Sequence, residues 1–260
     1  QRVRTRKKRL RQRLRRKSKK GKKAKKGKKG SKKYDLMIGG QKRKRKRKIT
    51  KKHNKKKKIK HSKESSMKKT LYCIRHGEAL HNVLFKKIGP MAYVNTRDTR
   101  LVENGVKQAQ QLGKTWKDKS KIELVVVSPL TRTLETASHI FKNNNVPMIA
   151  LESLKEYPQS YQQCNHRRTV EELKKEFPHI NFKEILHNDD KEWRDLPDII
   201  TGEKTKLKTR ISDFKKWINK RDEKNIAVVC HSSYLNKMMN DFVDNEITEL
   251  KHCYPYKYYL

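Results

Sequence analysis

Of the 70 Lys and Arg residues in this chain, 36 fall within residues 1–66, where only Asp35 and Glu64 oppose them and Tyr34 is the one aromatic residue. A segment with so little apolar surface cannot bury enough of it to offset the entropy of ordering its backbone, so residues 1–66 are expected to be disordered. That break confines a folded core to residues 67–260, a stretch of 194 residues carrying 34 basic and 25 acidic side chains. Its size suits one domain with a full core. No run of 18 apolar residues occurs, so no membrane span is expected. The basic start is not followed by the apolar stretch of a secretory signal.

Within residues 67–260 the apolar residues alternate between two periods. Thr70 to Ile74, Ile122 to Val127, Val146 to Leu151 and Asn225 to Cys230 are short apolar runs that predict strands, with Ile122 to Val127 showing the continuous pattern of one buried on both faces and Asn225 to Cys230 also reading as buried. Between them, Val106, Ala109, Leu112 and Trp116 predict a helix over 102–118. Leu130, Leu134, Ala137 and Phe141 predict a second, opened by Ser128-Pro129 with Pro at its first position. Leu207, Ile211, Phe214, Trp217 and Ile218 mark a long helix, Ser232 starts another, and a short one is expected near Thr169 to Glu176. The rest of 157–202 reads as irregular. Strands alternating with helices imply an α/β fold, a three-layer α/β/α sandwich on a mainly parallel sheet.

Such sheets place ligands at the carboxyl ends of their strands. The residues leaving those ends are Arg75 and His76, Ser128 with Arg132 one helical turn beyond, and His231. Two arginines and two histidines converging on one crevice suit a dianion, since guanidinium forks donate charge-assisted hydrogen bonds in pairs. A helix N-terminus at Ser128 or Ser232 adds positive partial charge. The four cysteines form no C-x-x-C pair, which argues against a zinc knuckle or a redox motif. Cys73 and Cys230 sit in apolar runs, where cysteine packs as a small hydrophobe. A reduced intracellular setting is the expectation. Cys-based phosphoryl chemistry wants an Arg six residues after the Cys, but those positions hold Ala79, Val170, Asn236 and Tyr259. His187 with Asp189 and Asp190 has the chemistry of metal ligands but lies in a polar loop, so no metal is expected.

The stretches "RHGEALHN" (75–82), "DTRLVENGVKQA" (98–109), "SPLTRTLETA" (128–137), "LKE" (154–156) and "VVCHSSYL" (228–235) resemble, in order, the motifs of the histidine phosphatase superfamily, also called phosphoglycerate mutase-like. The resemblance covers nearly all of 67–260. It implies that His76 is the nucleophile of a phosphohistidine intermediate, and that Arg75, Arg132 and His231 hold the phosphoryl group. It also implies that Asn82 contacts phosphate or substrate and that Glu156 is the general acid, with Glu152 and Glu135 as nearby alternatives. The expected activity is metal-independent hydrolysis of a small phosphomonoester, with no cofactor, because arginines supply the charge neutralisation.

Two departures bear on that reading. Val102 stands where Ser or Thr usually caps a helix, removing a side-chain acceptor. Tyr157-Pro158 follows the candidate acid where mutases carry Arg, which favours hydrolysis over mutase-type transfer. Arg167 and Arg168, in a segment resembling the cap of some family members, are further candidates for contact with the rest of the substrate.

In the basic extension, "KRKRKRK" (42–48) and "KKKK" (55–58) match nuclear-localisation or polyanion-binding patches. With one aromatic to stack on bases, binding to nucleic acid would be electrostatic and sequence-independent. A nucleic-acid-binding protein carrying a phosphatase-like module is therefore the alternative from another class. "MKKTLYCIRHGE" from Met67 also reads as a natural start, in which case the extension is not translated with the domain.

Overall fold

A computed structural model describes residues 68–194, 203–242 and 248–260, and the expectations for residues 1–66 lie outside them. The described residues belong to one compact unit. Strands β1 (Thr70–Arg75), β2 (Leu124–Val127), β3 (Met148–Ala150), β4 (Asn225–Cys230) and β5 (Pro255–Tyr259) form one sheet in the order β3-β2-β4-β1-β5. β1, β2, β3 and β4 run parallel, with Arg75 level with Cys230 and Val127 level with Val229. That register brings the carboxyl ends of β1, β4 and β2 side by side.

The strands alternate their side chains between two apolar layers. On one face Tyr72, Ile74, Val125, Val127, Ala227 and Val229 meet α3 (Glu103–Thr115), α4 (Thr131–Ile140) and α5 (Val170–Glu176). On the other, Leu71, Cys73, Val126, Val228 and Cys230 meet Leu207, Ile211, Phe214 and Ile218 of α6 (Glu203–Asn219), and Tyr234 and Leu235 of α7 (Ser232–Asn240). Each fully buried aliphatic or aromatic side chain contributes roughly 1.5–3 kcal/mol, so both faces hold the sheet. The expected three-layer sandwich is the observed one. Cys73 and Cys230 pack within it as buried free thiols. Among the described residues no helix is long and apolar enough to cross a membrane.

Three elements were not anticipated. α1 (Leu80–Ile88) and α2 (Met91–Asn95) occupy residues to which the apolar pattern assigns no element. β5 pairs antiparallel with β1 and covers that edge, with Pro255 at its first position, where a missing N–H is tolerated. The start of α4 also differs from expectation. It begins at Thr131, with Leu130 rather than Ser128 at its N-cap and no side-chain cap of its own. Its first turn is capped from a distance, because the Asp98 carboxylate accepts from the Thr131 N–H (2.8 Å) and Oγ1 (2.7 Å). A buried carboxylate at a helix N-terminus satisfies an orphan donor and suits the dipole. Val102, as expected, gives α3 no side-chain cap.

Gly77 has a steric reason. A Cβ there would lie 2.5 Å from the Gly105 carbonyl oxygen, and one on Gly105 would lie 2.1 Å from that of Glu78. The backbone after β1 therefore rests directly on the first turn of α3, which sets where His76 leaves the sheet.

Candidate active site

β1 ends in Arg75 and His76, β4 ends at His231, and the first turn of α4 carries Arg132. All four side chains are buried. His76 Nδ1 lies 2.7 Å from the Gly77 carbonyl oxygen, which can only accept, so Nδ1 carries the ring proton. Nε2 is then a lone pair, and Arg132 Nε donates to it at 3.3 Å. His231 has the opposite tautomer. Arg132 Nη2 meets its Nδ1 at 3.2 Å and can only donate, so the proton sits on Nε2 and points to Ser128 Oγ at 2.8 Å. The two rings lie 5.3 Å apart, edge to face.

Burial, then the neighbouring positive charges of Arg132 and the other basic groups, holds His76 well below the ordinary imidazole range. Burial and Arg132 do the same to His231. Arg132 is itself fixed by the Cys164 carbonyl at 2.6 Å and Asn165 Oδ1 at 2.9 Å. Arg75 donates through Nη1 to the Leu250 carbonyl (2.7 Å) and pairs with Glu249 (2.9 Å). Its buried Nε has no acceptor among the described residues. An unsatisfied buried guanidinium donor is costly.

Asn82 sits in the first turn of α1, where Oδ1 accepts from the Ala79 N–H at 3.0 Å. That bond fixes the amide, and the side chain lines the crevice with Arg75, His76 and Arg132. Glu156 lines the same cavity, of about 380 Å³. Its Oε1 accepts from the N–H groups of Tyr157 (2.8 Å) and Tyr234 (3.1 Å), and its Oε2 from Ser233 at 3.3 Å. The Glu156 carboxylate is thus held against the start of α7, beside the two histidines and two arginines.

The alternatives to Glu156 lie elsewhere. Glu152 pairs with Lys155 and Arg167, and Glu135 with Arg100. Arg167 and Arg168 need correction as substrate contacts, since neither lines the cavity. Arg167 is buried and donates to Glu152 and to the carbonyls of Arg168, His187, Asn188 and Asp189. It ties one loop to another and has no donor left for a substrate. Arg168 is spent on Thr131, Asp98 and Glu176. Asp190 pairs with buried Lys155.

Other lining residues are not singled out by the sequence, although His81 lies within the stretch 75–82. His81, Phe85 and Tyr93 come from the two unanticipated helices, Asn165 from a short 3-10 turn (Gln163–Asn165) and Glu249 from a loop. His252 Nδ1 donates to the His76 carbonyl at 2.6 Å, bracing the backbone of the nucleophile candidate. A His after an apolar strand is legible in sequence, whereas one bracing it from 176 residues away is not.

A profile of the histidine phosphatase superfamily (branch 1) matches residues 71–256. The chain belongs to that superfamily. It is an enzyme of the phosphatase class by that membership. Among curated relatives, phosphoglycerate mutase-like protein 1 of Arabidopsis thaliana is 31% identical over 66% of this chain and 71% of its own length. A phosphoglycerate mutase-like protein of the same plant is 28% identical over 70% and 78%. A probable phosphatase of Schizosaccharomyces pombe is 30% identical over 44% and 52%. Among solved structures, the phosphoserine phosphatase of Entamoeba histolytica in complex with 3-phosphoglyceric acid is similar at 19% identity, over 73% of this chain and 94% of that one, with a TM-score of 0.44.

The neutral histidines of this histidine phosphatase carry a stability consequence. Burial and Arg75 push His252 down to about 4. Below its unfolded value near 6.5, the unfolded chain binds a proton that the folded one refuses, so stability falls as pH drops from about 6.5 toward 4. For His252 alone the full window is worth about 3 kcal/mol, and His76 and His231 act in the same direction. Urea midpoints should be level above pH 7 and decline from pH 6.5 to 5. His252→Asn, which keeps a donor for the His76 carbonyl, should make the decline shallower. An identical slope in the variant would refute the assignment.

Proposed function

We propose that this chain is a phosphomonoester hydrolase that works through a phosphohistidine on His76 and acts on a small phosphorylated substrate. The observation that carries the reading is the tautomer of His76, with its proton committed to the Gly77 carbonyl and its Nε2 lone pair facing Arg132. Such an imidazole attacks phosphorus without first losing a proton. As the N–P bond forms, the ester P–O bond breaks and its electron pair leaves on the alkoxide, which takes a proton from Glu156. Water then attacks the phosphohistidine and gives its proton to the Glu156 carboxylate. The N–P bond electrons return to Nε2, and inorganic phosphate leaves. Arg75, Arg132, Asn82 and His231 stabilise the equatorial oxygens in both steps.

Activity should survive EDTA and be inhibited by vanadate or tungstate, which occupy the dianion site. Loss on chelation with recovery on adding a divalent metal would refute the mechanism. For residues 1–66, outside the described residues, the 36 basic side chains support a sequence-independent polyanion contact. Duplex DNA binding across a salt series, by the full chain and by residues 67–260, tests it, and equal binding by both would reject it.

A further inference from the structure

We infer that the pocket selects phosphomonoesters whose leaving group carries no negative charge and offers an aromatic or apolar face, and that Glu249 enforces the charge part of that choice. The inference rests on the hydrolase reading and adds a substrate class to it.

The cations of the cavity are all engaged at its phosphoryl end. Arg132 is held among the two histidines, Cys164 and Asn165. Arg75 is anchored by Leu250 and Glu249. No further Lys or Arg lines the cavity among the described residues. Lys155 and Arg167 are buried on Glu152 and Asp190, and Arg210 is turned to the carbonyls of Lys155 and Glu156. The internal stretches 195–202 and 243–247 contain no Lys or Arg in their sequence.

Two carboxylates, Glu156 and Glu249, line the same cavity. Glu156 is protonated when it acts as the acid, so a carboxylate or second phosphate on the leaving group would meet the negative charge of Glu249, with no further Lys or Arg among the described lining residues to offset it. Part of the remaining wall is apolar and aromatic, beside the polar side chains of Gln162, Ser232 and Ser233. Phe85 and Tyr93 stack at 5.1 Å and 19°, with Pro90 and Tyr157 nearby. Those two rings pack on each other, and the apolar surface they present to the cavity with Pro90 and Tyr157 suits an aromatic or apolar group.

The test compares three alkyl esters on the full chain, so that leaving-group basicity varies little: benzyl phosphate, glycerol 3-phosphate and 3-phosphoglycerate. Because the Glu249 side chain is 42% exposed, solvent tempers its repulsion to about fivefold in rate. 3-Phosphoglycerate should then have a kcat/KM about fivefold below glycerol 3-phosphate, and benzyl phosphate should lie above both. Glu249→Gln also loosens Arg75, which lowers all three rates together. The readout is instead the ratio of 3-phosphoglycerate to glycerol 3-phosphate, which should rise about fivefold.

Wild-type preference for 3-phosphoglycerate, or an unchanged ratio in Glu249→Gln, would overturn the charge assignment. Benzyl phosphate no better than glycerol 3-phosphate would overturn the aromatic part. No turnover of any of the three would strike the hydrolase reading itself.

Discussion

Replacing His76 with alanine is expected to lower kcat/KM by at least about three orders of magnitude while leaving the anion site in place. The ring is held at both nitrogens, by Gly77 at 2.7 Å and by Arg132 at 3.3 Å, so it is placed with little rotational freedom. Reaction from such a fixed position gains most from proximity, which is what alanine removes. Arg75, Arg132 and His231 are anchored by partners other than His76, namely Leu250 and Glu249, Cys164 and Asn165, and Ser128. Tungstate should therefore still bind to His76→Ala, separating a missing nucleophile from a collapsed pocket. Turnover within about tenfold of wild type, with tungstate binding retained, would mean that water attacks the ester directly.

Arg75, His76 and His231, which the strand pattern disclosed without any motif, share one physical property: each sits at the end of a strand buried on both faces. Continuous apolar runs such as Asn225–Cys230 cannot be solvated, so their ends are sharp, and β4 and the start of α7 fall where the pattern puts them. Arg75, His76 and His231 follow directly from those ends. Asn82 came from the family resemblance alone, because α1, which carries its amide, left no signal in the apolar pattern.

Arg167 and Arg168 failed for a reason that sequence rarely exposes. A basic pair is the same string whether it faces a ligand or folds onto the carbonyls of His187, Asn188 and Asp189, and only the tertiary path of 187–190 decides. β5 escaped notice because it is a half-exposed edge whose aromatic residues alternate with Lys257, unlike the buried runs. Glu249 gave no signal, since a carboxylate gains its role here from the arginine 174 residues before it.

Glu156→Gln separates acid catalysis from mere shape. Glutamine keeps a carbonyl oxygen for the N–H groups of Tyr157 and Tyr234, which now hold Oε1 at 2.8 and 3.1 Å. The backbone on either side stays fixed, because Arg210 donates to the Lys155 carbonyl at 2.6 Å and the Glu156 carbonyl at 3.3 Å. What glutamine lacks is a transferable proton. On benzyl phosphate, whose alkoxide cannot leave unprotonated, kcat/KM should fall by about 10²–10⁴, the usual contribution of a positioned general acid. On p-nitrophenyl phosphate, whose leaving group is stable as an anion, kcat/KM should fall by less than about tenfold. Its kcat should drop further, because hydrolysis of the phosphohistidine needs the same carboxylate as a base. An early burst of p-nitrophenol should therefore precede a slow steady state, which a simple loss of folded protein would not produce. Equal losses in kcat/KM on both esters, without a burst, would remove Glu156 from the chemistry and leave it a clamp on the start of α7.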